Sequence, residues 1–139
     1  MAILLSVTIN AQRNTAFFGG SITSIGPGLH IGYEAKSITF TAGWTHSAFN
    51  PSIYPDVYYA TAGYVYQFSS GNSYNLSFHG GYAYTTKRIV RDHDYFGDDK
   101  KKTFIVNLEV GKDIASGRIY ITTGYVTKPY FGIAFRGYF

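Results

Sequence analysis

From Thr15 to the C-terminal residue, apolar and small polar residues alternate with a period of two, and turn-forming residues break the alternation at regular intervals. The clearest run is Ser73 to Thr85. There Tyr74, Leu76, Phe78, Gly80, Tyr82 and Tyr84 share one face, and Ser73, Asn75, Ser77, His79, Gly81, Ala83 and Thr85 share the other. Ile38 to Thr45 repeats this, as do Val57 to Phe68, Thr103 to Gly111, Ile119 to Tyr125 and Phe131 to Phe139. Upstream, Gly28 to Glu34 alternates in the same way, and a weaker strand covers roughly Thr15 to Thr23. No segment sustains a period of 3.6, so the pattern predicts an all-β chain of eight strands.

The connections alternate too. Ala35 to Ser37, Ser69 to Asn72 and Asp113 to Gly117 are tight, whereas Ser47 to Pro55 and Lys87 to Lys102 are long. Short turns at one end and longer loops at the other are the habit of outer-membrane barrels, with the long loops outside. The connections near Ser24 to Pro27 and Thr127 to Pro129 are shorter than that habit.

The apolar face could point inward or outward, and physical arguments separate the cases. Eight strands enclose an interior barely wide enough for side chains, and the Tyr, Phe and Trp of the apolar face would overfill it. The polar face, almost free of Lys, would make a poor soluble surface. Turned outward, the large side chains meet lipid and the small polar ones pack inside. Trp44, Tyr58, Tyr82, Tyr84, Phe104, Tyr125 and Phe131 then form a girdle at the outer ends. Tyr33, Tyr66, Phe68, Tyr74 and Phe139 form a second at the periplasmic ends. Closure is required, because an open edge in lipid leaves backbone groups unsatisfied. The expectation is an eight-stranded antiparallel up-and-down transmembrane β-barrel.

Composition agrees: the chain is 19% aromatic and only 14% charged, below the roughly 25% charge of a soluble domain. No apolar run approaches the roughly 20 residues of a membrane-crossing helix. The absence of cysteine removes disulfides, thiolate metal sites and cysteine nucleophiles. Residues 1–11, MAILLSVTINA, read either as the tail of a secretory signal or as an ordinary first strand, since no Lys or Arg precedes the apolar part. On the first reading residues 12–139 form the barrel domain.

The chain resembles the small outer-membrane barrels of Gram-negative bacteria, the class of the OmpA transmembrane domain and OmpX. The resemblance rests on the architecture and on the final segment from Tyr130 to Phe139, which is similar to the C-terminal assembly signal of such proteins. Gly137 stands where that signal usually has a larger apolar residue. It implies a bacterial outer-membrane location, outer-membrane lipid and lipopolysaccharide as surroundings, and recognition of Phe139 by the barrel-assembly machinery.

Candidate chemistry is sparse. Inward positions include His30, Glu34, His79, Glu109, Arg118 and Arg136, and the last five predict a lumenal charge network. A tight hairpin at Asp113 to Gly117 would set Glu109 near Tyr120 and Tyr120 near Arg136. That permits a Glu109–Arg136 pair with Arg118 diagonal to the acid. Such a network reads as a polar plug, with a narrow ion or small-solute pore as the alternative. A lipid-modifying enzyme is the third class. Its only adjacent Ser and His candidates, His46 and Ser47, point to opposite faces of a strand, so no catalytic residue is expected.

The segment Lys87 to Lys102 drops the alternation. It holds six of the twelve basic residues, Lys87, Arg88, Arg91, Lys100, Lys101 and Lys102, beside Asp92, Asp94, Asp98 and Asp99. It reads as a polar outer loop contacting lipopolysaccharide, a divalent ion or another envelope protein. From Asp92 the acids begin a calcium-loop spacing, but Phe96 and Thr103 occupy two ligand positions. No metal or cofactor is expected, and the interleaved acids argue against nucleic acid.

Overall fold

The computed structural model describes residues 13–49, 51, 53–68, 73–91 and 94–139. The strands are β1 (Arg13–Thr23), β2 (Pro27–Lys36), β3 (Ile38–Thr45), β4 (Asp56–Gln67), β5 (Tyr74–Arg91), β6 (Asp94–Ile114), β7 (Gly117–Tyr125) and β8 (Pro129–Tyr138). They pair in chain order and close into a barrel. The seam is the antiparallel β1–β8 ladder from Phe17↔Tyr138 to Thr23↔Gly132. Closure leaves no edge within the lipid, where a bare carbonyl or amide would cost several kcal/mol (about the penalty of an unmade hydrogen bond in hydrocarbon).

At one end, Lys36 and Ser37 join Ala35 to Ile38, and Lys36 adopts the left-handed φ of 57° that a two-residue hairpin needs. Ala115 and Ser116 join Ile114 to Gly117 at the same end. The expected tight turn between β4 and β5, like the segment 1–11, lies outside the described residues. The other end carries the connections 24–26, 46–55 and 126–128.

Facing follows the alternation. Phe78, Tyr82, Phe104 and Phe131 are 61–70% exposed, while Thr39, Asn75, Ser77 and His79 are at most 1% exposed. Both aromatic girdles form: Trp44 stacks on Tyr58 and Tyr82 meets Phe104 at 4.9 Å near the loop end, and Tyr66 meets Phe68 at 5.2 Å near the turn end.

Two expectations need correction. The interior is not filled by small polar residues alone. Phe17, Tyr120 and Tyr130 are buried, and Ile25, Val57, Ala83, Ile105 and Val126 form an apolar cluster with Tyr130 toward the loop end. The small residues leave room that these side chains fill, as close packing demands. The segment Lys87 to Lys102 is also not an irregular loop. The β5–β6 ladder continues through Lys87↔Asp99 and Arg88↔Asp98 to Arg91↔Asp94. By contrast, the β4–β5 ladder stops at Asp56↔Thr86 and the β6–β7 ladder at Val106↔Tyr125. A two-stranded hairpin therefore stands above the rim. Both its faces leave the lipid there, which removes the reason for apolar alternation.

Candidate functional site

The lumen is built in layers. Nearest the tight turns, Asp113 of β6 and Arg118 of β7 are cross-strand partners, and Arg118 Nε donates to Asp113 Oδ1 at 2.7 Å. The far side of the same guanidinium crosses the lumen. Nη1 and Nη2 donate to the two oxygens of Glu34 on β2 at 3.1 and 3.3 Å. Tyr138 donates to Glu34 at 3.1 Å, and Gln67 and Asn75 donate to Asp113 at 3.0 and 3.4 Å. The planar fork of arginine suits this two-pronged grip, which a lysine could not copy.

One layer up, Arg136 Nη2 donates to both oxygens of Glu109 at 2.9 and 2.8 Å. His79 Nε2 lies 3.2 Å from the same carboxylate, and Asn107 donates to it at 3.0 Å. The Arg136 guanidinium lies over the Phe17 and Tyr120 rings, 4.8 and 4.5 Å from their centroids. Tyr120 Oη and His30 Nε2 are 3.1 Å apart. Arg118, Arg136, Glu34 and Glu109 are all buried, so each charge needs an opposite partner close by.

Above this network sits a cavity of about 50 Å³ lined by Thr41, Thr61, Asn107, Tyr120 and Arg136 among others. At roughly 10–15 Å³ per water, that is room for a few waters. Ile25, Val57, Ile105, Val126 and Tyr130 of the apolar cluster line the loop side of this cavity. Tyr54 donates to the Pro129 carbonyl at 3.0 Å, tying the β3–β4 connection across the mouth.

Against the sequence expectations, Glu109 pairs with Arg136 and His79 joins them. Arg118 is not diagonal to Glu109: it takes Glu34 and Asp113 instead. The route also differs, since Glu109 opposes Thr122 while Tyr120 opposes Gly111, and Tyr120 reaches Arg136 through its ring. Asp113, Tyr138 and Asn107 were not foreseen in these roles, and His30, an inward position by the alternation, meets Tyr120 rather than a carboxylate. Continuing the inward series Glu109, Gly111 by one more step would have found Asp113.

At the rim, Asp56 Oδ1 accepts from the Ser47 amide at 2.7 Å and lies 3.0 Å from His46 Nδ1. His46 is exposed and Ser47 buried, so the two side chains diverge, and Asp56 clamps the ends of the β3–β4 connection. On the hairpin, Lys101 Nζ lies 3.2 Å from Asp99, a solvated pair of the kind worth about 0–1 kcal/mol. Register sets Lys87, Lys101 and Asp99 on one face and Arg88, Lys100, Lys102 and Asp98 on the other. Asp92 and the side chains of Arg91 and Asp94 lie outside the described residues, and with them the start of the calcium-loop spacing. Among the described residues no three His, Asp or Glu groups gather as a metal site.

No family model matches the chain, and no curated protein matches it in sequence. Solved structures do match in fold. A de novo designed transmembrane β-barrel superposes with a TM-score of 0.62 at 9% identity, over 93% of this chain and 98% of that one. Neisserial surface protein A gives 0.57 at 12% identity, over 90% and 95%. The Yersinia pestis outer membrane protein Ail, in a phospholipid bilayer nanodisc, gives 0.56 at 12% identity, over 91% and 100%. With its lipid-facing belt and two aromatic girdles, the chain has the closed eight-stranded antiparallel architecture of the small outer-membrane barrels of Gram-negative bacteria.

Proposed function

We propose that the chain is a non-enzymatic protein of the bacterial outer membrane whose filled barrel anchors a projecting contact hairpin. The observation that carries this reading is the continuation of the β5–β6 ladder to Arg91↔Asp94, beyond the ends of the neighbouring ladders. Among the described residues, β6 from Asp94 to Ile105 is strand-paired on one side only. Unpaired backbone donors and acceptors of this kind can accept a strand from a partner. The lumen supports an anchor rather than a pore, because a charge-paired layer and an apolar layer both cross it.

The test replaces residues 88–98 by Asn-Gly, a two-residue hairpin turn between Lys87 and Asp99. The shortened barrel should keep its heat-dependent gel mobility while losing photo-crosslinks that the full chain makes on whole cells from a probe at Tyr84, a rim position present in both chains. Retention of every crosslink would place the contact surface elsewhere. Planar-bilayer recordings should show no steady conductance, and porin-sized currents would contradict the filled lumen.

A further inference from the structure

Tyr82 and Phe104 face each other across β5 and β6, are 69% and 67% exposed, and mark the loop-side girdle. Rings of this kind settle at the headgroup level. Going up the same face, the next register pairs are Tyr84↔Lys102, Thr86↔Lys100 and Arg88↔Asp98. At about 3.3 Å per residue along a strand, the Lys102 position is roughly 7 Å and the Lys100 position roughly 13 Å beyond Phe104. The other face carries Thr85↔Lys101 and Lys87↔Asp99, and there Lys101 lies against the acid.

Both faces of the hairpin are in solvent above the rim, but only one continues the lipid belt. On that face Arg88, Lys100 and Lys102 outnumber Asp98. The cations begin just above the rings and extend farther than a glycerophospholipid phosphate, which sits near the girdle. We propose that this face binds the phosphate groups of a phosphorylated glycolipid headgroup in the adjoining leaflet, with Lys100 and Lys102 as the anchors. A sugar-borne phosphate stands high enough to meet both. The attraction of a lysine near an anionic lipid surface is substantial and screened by salt. The proposal rests on reading the hairpin as the contact surface, and names lipid as an occupant of one of its faces.

The test titrates the full-length folded protein in detergent micelles with bis-phosphorylated lipid A, with the same lipid A after removal of its phosphates, and with phosphatidylglycerol. Heat-dependent mobility checks that each variant is folded. Lys100→Gln with Lys102→Gln should weaken binding of the bis-phosphorylated lipid roughly tenfold or more. Lys87→Gln with Lys101→Gln removes the same charge from the other face and should change it by less than about twofold. Dephosphorylated lipid A should bind the wild type no better than the double variant does. Equal losses from the two pairs of substitutions, or no loss from the first, would overturn the proposal. So would equal affinity for phosphatidylglycerol with equal sensitivity to Lys100 and Lys102, since that is general attraction to an anionic surface. Micelles contain no protein partner, so failure here leaves the crosslinking test untouched, and loss of the crosslinked partner leaves this titration untouched.

Discussion

The two halves of the lumen fill the same tube by different physics. Toward the tight turns, Arg118 and Arg136 are held by Glu34, Asp113 and Glu109 through directional bonds of 2.7–3.3 Å. Toward the loops, Ile25, Val57, Ala83, Ile105, Val126 and Tyr130 touch without direction. The charged half demands one register: a strand slipped by a residue would send Glu109 or Arg136 into lipid. The apolar half asks only for volume. One half specifies the register and the other fills volume, so equal changes in size should have unequal costs in the two places.

The largest expected effect is in the charged half. Glu109→Ala alone strands the Arg136 guanidinium in the lumen and should cost about 3–5 kcal/mol in urea unfolding from lipid vesicles. Glu109→Ala combined with Arg136→Leu should cost less than that single change. Additive losses would show that the pair is not coupled and would erase the contrast between the halves. In the apolar half, Ile105→Ala should cost about 2–3 kcal/mol, because it enlarges a void without stranding a charge. Neither Ile105→Ala nor the neutral pair should conduct alone in planar bilayers, since the other layer still seals the lumen. Conduction by either would assign the seal to one half.

Glycines give the finest comparison. A Cβ on Gly32 would meet the Phe17 ring, which lies under Arg136, and the Phe40 carbonyl. Gly32→Ala should therefore cost about 1–3 kcal/mol by overpacking. A Cβ on Gly80 meets nothing within 4 Å, and Gly80→Ala should stay within about 0.5 kcal/mol. Similar losses at both would mean that strand flexibility rather than interior space sets the cost.

The belt, the facing and the order of the strands were legible in the sequence because lipid on one side and a narrow lumen on the other impose a period of two. The Glu109–Arg136 pair was legible because both residues face inward two strands apart, but the hairpin register between them was not, since Glu109 opposes Thr122 and Arg136 opposes Arg118. Glu34 and Arg118 were assigned to the network but not to each other. They meet across the lumen from non-adjacent strands, and that meeting depends on the shear of the closed barrel, which no local pattern encodes. Ile25 and Val126 escaped notice because they sit in connections, beyond the alternating runs. The hairpin looked like a loop because strands with solvent on both faces carry no hydrophobic period.

Strand β6 runs for 21 residues from Asp94 to Ile114, with one register shift opposite Ile89 and Val90, roughly 70 Å if fully extended. It passes from the hairpin through Lys102, Phe104 and Glu109 to Asp113 near the tight turns. In mechanical terms it is a tie rod. A pull on the hairpin along its axis draws β5 and β6 together and loads the β4–β5 and β6–β7 ladders in shear, so many hydrogen bonds share the force at once instead of opening one by one. Force applied at the tip would not unzip the barrel, and the load would be carried down to the carboxylates that hold Arg136 and Arg118.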